Sequence, residues 1–226
     1  MFTRTLLVGV LALGLAACSD TATDDVSTAG PVTDDVTTFA DAPGLEAGTY
    51  TIDALHSRAE FRVRHLGIST VTGRFGDLSG TVTVGDGLGS LGAMARIDAT
   101  TIDTGNDDRD GHLKSPDFFD TANHPEITFE TTEIRPAADG FVMVGDLTMR
   151  GVTRPVELEG EYLGASTFGD TDKIGFTARG EINRQDWGLS WAETNDAGEA
   201  LVSDTVELVI EVEADKQGAE TEASEA

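Results

Sequence analysis

Between residues 173 and 183 the chain alternates. Ile174, Phe176, Ala178, Gly180 and Ile182 share one face, and Lys173, Thr177, Arg179, Glu181 and Asn183 share the other. A period of two, apolar on one side and polar on the other, marks a half-buried strand. The same alternation sets Val156, Leu158 and Tyr162 against Glu157, Glu159 and Glu161. It sets Val206, Leu208, Ile210 and Val212 against Glu207, Glu211 and Glu213. Ala59, Phe61 and Val63 oppose Arg58, Glu60, Arg62 and Arg64 in the same way. Phe141, Met143, Leu147 and Met149 line one side of a further strand, and weaker runs lie near 49–54, 68–75, 79–84, 92–102 and 125–133.

Turns such as Gly85-Asp86-Gly87 separate these runs. Eight or nine short strands with one apolar face predict an all-β fold, an antiparallel sandwich or barrel. One stretch departs from the pattern. Residues 105–120, Gly-Asn-Asp-Asp-Arg-Asp-Gly-His-Leu-Lys-Ser-Pro-Asp-Phe-Phe-Asp, have no strand period. Their charges, and the proline after Ser115, predict a short helix and a loop, with Asn106 or Asp107 as its cap.

The first residues read differently. Arg4 precedes an apolar run over 6–17, which ends in Leu15-Ala16-Ala17-Cys18 before Ser19-Asp20. A basic start, a short apolar stretch and a small-residue cleavage site make an export signal. The run is shorter than the roughly 20 residues that a membrane-spanning helix needs. Leu-Ala-Ala-Cys resembles the lipobox of bacterial lipoproteins, which implies cleavage before Cys18 and acylation of its thiol. Cys18 is the only cysteine, so it has no partner for an internal disulfide. By the same resemblance Ser19 favours the outer membrane. Residues 18–44 follow as an acylated cysteine and an acidic spacer, with Asp24-Asp25 and Asp34-Asp35 repelling each other. The folded domain is expected over 45–214, and residues 215–226 as an acidic, frayed tail.

Composition narrows the partners. Lys and Arg number 15 against 41 Asp and Glu, a net charge of −26. Phosphate backbones repel such a chain, so nucleic acid is excluded as a partner. Anionic lipid is equally unattractive, so membrane attachment falls to the acyl anchor.

Four stretches then resemble one family, the YceI-like proteins. They are Tyr50-Thr-Ile-Asp-Ala-Leu-His-Ser through Phe61-Arg-Val-Arg-His65 to Gly73-Arg-Phe75, and Asp107 through Asp120 with His124-Pro-Glu-Ile-Thr-Phe129. Gly145-Asp-Leu-Thr-Met-Arg-Gly-Val-Thr-Arg-Pro-Val156 and Phe176-Thr-Ala-Arg-Gly-Glu-Ile-Asn-Arg-Gln-Asp-Trp-Gly-Leu-Ser-Trp191 complete the set, in the family's order. The resemblance implies a lipocalin-like antiparallel β-barrel of about eight strands, with a helical segment at its mouth. It also implies a long apolar ligand inside, such as a polyisoprenoid, an isoprenoid quinone or a fatty amide. Members are usually periplasmic or secreted, and the lipobox and spacer set this chain apart from them.

The residues alone leave the interior open to two readings. A small closed barrel either fills with side chains or holds one ligand. A strand of seven residues spans roughly 23 Å at about 3.3 Å per residue, room for a chain of ~15–20 carbons. The candidate apolar contacts are Phe61, Val63, Phe75, Leu113, Phe118, Phe119, Phe129, Phe141, Met143, Leu147, Met149, Ile174, Phe176 and Trp187. Phe118 and Phe119 form a candidate lid, and Arg109, His112 and Lys114 are candidates for a polar head group. No cofactor is implied beyond such a bound ligand, and a homodimer remains open.

His56, His65, His112 and His124 raise a metal reading, but no HxH, HExxH or CxxC spacing supports it. Asp53, His56 and Ser57 lie close in sequence, yet a triad is recognised by geometry, and no Gly-x-Ser-x-Gly elbow occurs. Arg184, Asp186 and Trp187 read as a structural corner. Three classes therefore remain: a module binding an apolar molecule, a packed interaction lipoprotein, and, least supported, a histidine-based metal enzyme.

Overall fold

The computed structural model describes residues 41–218. The expected leader, Cys18, most of the spacer and the last tail residues lie outside the described residues. Eleven strands follow in chain order: β1 (Gly48–Ile52), β2 (Arg58–His65), β3 (Ser69–Phe75), β4 (Leu78–Gly85), β5 (Gly87–Asp98) and β6 (Ile102–Asp103). After the helix α1 (Asp107–Lys114) come β7 (Glu126–Ala137), β8 (Gly140–Met149), β9 (Val152–Phe168), β10 (Thr171–Asn183) and β11 (Val202–Lys216).

Every pairing among them is antiparallel. β1 and β2 both pair with β11, β1 near its end and β2 near its start, so they form one stave with a break at 53–57. β3 and β4 likewise make one stave, pairing with β2 and β1, and β5 with β6 makes a third. With β7 to β11 as single staves, the pairing of β11 back to β1 and β2 closes an eight-stave barrel. Each periodic run of the sequence falls on one of these strands, except that the weak run at 92–102 leaves β5 at Asp98, passes through a helical turn at Ala99–Thr101 and ends in β6. The last one runs to Lys216, past the expected boundary, because Asp215 and Lys216 pair with Thr51 and Tyr50.

The two ends differ. At the floor, Ala42 and Leu45 pack against the buried cluster that contains Tyr50, Ile174 and Ala214. Tyr50 Oη donates to the Glu46 carbonyl at 2.9 Å, and Tyr162 Oη donates to that of Pro43 at 3.1 Å. These contacts seat residues 42–46, the end of the expected spacer and the start of the expected domain, against the barrel. At the other end lie α1, the 66–68 turn, the Arg150-Gly151 turn, and a one-turn helix, Arg184–Trp187, with the loop after it. The helix caps as the sequence predicts: Asn106 accepts from the Arg109 amide at 2.9 Å, and Asp107, Asp108 and Asp110 sit in the favourable first turn.

Arg184 fixes the corner. It is buried, and its guanidinium donates to the carbonyls of Ser203 and Leu189 and to Asp204 Oδ1. Such a charge is stable inside only when its donors are satisfied, and these three acceptors hold the 188–201 loop to the start of β11.

Candidate ligand-binding cavity

The barrel is not filled by its own side chains. A cavity of about 390 Å³ runs between its two packed clusters. Phe75, Ile97, Phe129 and Leu208 touch both clusters and bridge them along the wall.

Glycines explain how large aromatic rings leave the space open. Phe61 pairs across the ladder with Gly73, and Phe141 with Gly160. A methyl group at Gly73 or Gly160 would fall 2.2 Å from the facing ring, and one at Gly145 would fall 2.3 Å from Phe129. Each ring therefore lies down over a bare backbone on the next strand. The rings line the wall rather than crossing the lumen.

Of the expected apolar contacts, Phe61, Val63, Phe75, Leu113, Phe118, Phe119, Phe129, Phe141, Met143, Leu147, Met149 and Phe176 line the cavity. Ile174 and Trp187 do not. Ile174 belongs to the floor, between Ala165 and Ala214 in the ladder. Trp187, only 2% exposed, sits in the wall, where its indole N–H donates to the Leu147 carbonyl at 3.0 Å. Its chain direction reverses at the one-turn helix, so strand alternation gives no guide to where the ring goes.

The mouth is aromatic. His112 meets Phe118 edge-on at 5.1 Å and Trp191 edge-on at 5.3 Å, and Phe118 lies 5.4 Å from Trp191. Phe119 meets Phe75 edge-on at 5.7 Å. Arg150 stitches the rim: its Nη1 donates at 2.8 Å to the carbonyls of both Phe118 and Gly188.

Of the candidate head-group residues, Arg109 and His112 line the cavity and Lys114 does not. Arg109, His112 and Leu113 are spaced i, i+3, i+4 and share one helix face, from which Lys114 is rotated away. Arg109 is partly committed, since it donates to Thr104 Oγ1 at 2.7 Å and to the Thr104 carbonyl at 2.9 Å. His112 Nε2 lies 3.1 Å from Asp117 Oδ2. His65, not among the head-group candidates, also lines the cavity.

Sequence reading missed Trp191, Leu189, and the aliphatic stripe of Val206, Leu208 and Ile210 as cavity residues. The stripe was visible as an inward strand face. Trp191 sits in a loop without a period, and only its place at the end of the fourth motif pointed to it.

The histidines do not gather. Among the described residues the one cluster with metal-ligand character is Asp53, His56 and Glu213. The Lys173 ammonium already stands there, 2.9 Å from Glu213 and 3.5 Å from Asp53, and also bonds Asp215. That amine supplies the positive charge the carboxylates call for. The hydrogen bond from His56, at 2.7 Å, and that from the Leu55 amide hold the Asp53 carboxyl down to about 2. The same bond, with the charges of Asp53 and Glu213, raises His56.

A YceI-like domain profile matches residues 50–214. The chain belongs to the YceI-like family. A UPF0312 protein of Pectobacterium atrosepticum is 35% identical over 189 residues, covering 80% of this chain and 94% of that one. The YceI protein of Campylobacter jejuni has a crystal structure similar to this fold at a TM-score of 0.59. It shares 31% identity over 69% of this chain and 90% of its own. A polyisoprenoid-binding domain from Saccharophagus degradans shares the fold at a TM-score of 0.54 and 20% identity, over 76% of this chain and all of its own. The YceI-like resemblance and the lipocalin-like antiparallel barrel are thus both borne out.

Proposed function

We propose that the protein is a lipid-anchored binding module of the bacterial envelope. It faces the periplasm and holds a long apolar or amphiphilic molecule for carriage, storage or stress protection. The ligand is a polyisoprenoid, an isoprenoid quinone or a fatty acid derivative. The observation that carries this reading is the open apolar cavity of about 390 Å³ inside a closed barrel. Ligand sites of this kind commonly enclose ~300–1,000 Å³. Support comes also from the fold neighbour described as a polyisoprenoid-binding domain.

The cavity favours chains over compact polar molecules. Burying about 12 methylene groups gives ~10 kcal/mol at roughly 0.8 kcal/mol each, part of which association entropy offsets. A polar head at the mouth meets Arg109, His112 and His65. Acylation at Cys18 keeps the barrel at the membrane, and Ser19 directs it to the outer one.

Two experiments test the two halves. A fluorescent long-chain fatty acid should bind the full-length chain and be displaced by a polyisoprenol; a probe that stays in free solution contradicts the cavity's role. Cys18→Ser should move the protein from the membrane to the soluble fraction, and identical fractionation of variant and wild type removes the anchor.

A further inference from the structure

β9 is longer than its neighbour β8. Their pairing ends with Phe141 opposite Gly160, where β8 turns back toward β7. Residues 162–168, Tyr-Leu-Gly-Ala-Ser-Thr-Phe, continue the strand with β10 alone beside them. Their other edge has no backbone partner among the described residues. An antiparallel strand turns part of its N–H and C=O groups away from its partner, so an unpaired edge is a template for another strand.

Side chains mark this edge as well. Tyr162 pairs with Phe176 and Ala165 with Ile174, which leaves Leu163 and Gly164 opposite Gly175 alone. The bulge shifts the alternation by one position. Leu163 and Phe168, five residues apart, therefore share the outer face, where they are 59% and 79% exposed. On the inner face Tyr162 is half-buried with its hydroxyl on the Pro43 carbonyl, and Gly44 passes close to Ala165.

Charge decides the occupant. Residues 162–168 carry no charge, although 25% of the chain is charged. Exposed Glu159 and Glu161 precede the run, and exposed Asp170 and Asp172 follow it. Two copies pairing antiparallel here would bring Glu161 of each beside the Gly169-Asp170 turn of the other, and like charges brought together across a ladder destabilise it. We propose that this edge docks an extended segment of a partner protein, apolar in its middle and basic at both ends, by strand addition.

The test uses the full-length chain and a labelled peptide, Lys-Lys-Thr-Val-Thr-Val-Thr-Lys-Lys, beside the same peptide with Glu for every Lys. Fluorescence polarisation should show the basic-ended peptide binding more than about tenfold tighter at low salt, with the gap narrowing as salt screens the flanking charges. Amide exchange across 162–168 should slow when it binds. Leu163→Lys, at an exposed position, should weaken binding by about tenfold or more with an unchanged circular dichroism spectrum. Equal affinity for the two peptides, or unslowed exchange at 162–168, overturns the proposal. So does a wild-type dimer that Leu163→Lys turns into a monomer, which assigns the edge to a second copy.

Discussion

At Gly73 and Gly160 a single methyl group decides between a wall and an obstruction. Either would press 2.2 Å from a phenyl ring, well inside contact distance. The ring must then swing into the lumen. Gly73→Ala and Gly160→Ala should each destabilise the barrel by ~1–3 kcal/mol, the usual cost of overpacking. Each should also lower the ligand recovered per protein, measured by mass spectrometry of the purified variant. Full ligand content in a folded variant contradicts the account of the open lumen. A second residue-scale prediction concerns the break between β1 and β2. Asp53, held down to about 2, contributes stability above its ordinary 3.8 that is lost as pH falls through the folded value. His56, raised above 6.5, contributes below 6.5 and loses that contribution as pH rises through its folded value. Asp53→Asn should lower the His56 pKa toward 6.5, read from its ring-proton NMR shifts. An unmoved titration removes Asp53 as the cause.

The elements were legible to unequal degrees. β10 and β11 stood out because one face is buried and the other wet, which writes a period of two into the sequence. The break at 53–57 was not legible: Ser57 Oγ donates to the Glu213 carbonyl and accepts from the Glu213 amide, so a side chain replaces the ladder there. Strand alternation also found most of the cavity wall, since inward faces of a barrel are the wall. It failed for Trp187, Lys114 and Trp191, which lie on helices or loops whose direction the strand period does not encode. The mouth carries the prediction that belongs to this scale. His112, Phe118 and Trp191 meet over the cavity from two separate segments. Replacing Phe118 and Phe119 by Ala, or Trp191 by Ala, should speed release of a bound fluorescent fatty acid in stopped-flow exchange against lipid vesicles. An unchanged release rate in a folded variant removes the lid.

For the whole molecule, the acidic surface and the apolar interior have separate tasks. A net charge of −26 repels other polyanions, anionic lipid among them, so on the proposed reading attachment to a membrane falls to Cys18 rather than to the surface. The cavity wall is mainly apolar, and the buried Arg184 guanidinium that reaches it is already bonded, which leaves the apolar area open to a ligand. Family membership and barrel closure follow from motifs spread over the folded region; the ligand does not, because an apolar wall accepts many chains of similar width. The most direct test is to purify the full-length protein gently, extract it with organic solvent and analyse the extract by mass spectrometry. The account predicts an isoprenoid, a quinone or a fatty acid derivative at close to one molecule per chain. A ligand-free, monodisperse protein that also fails to take up isoprenoids or fatty amides would contradict it.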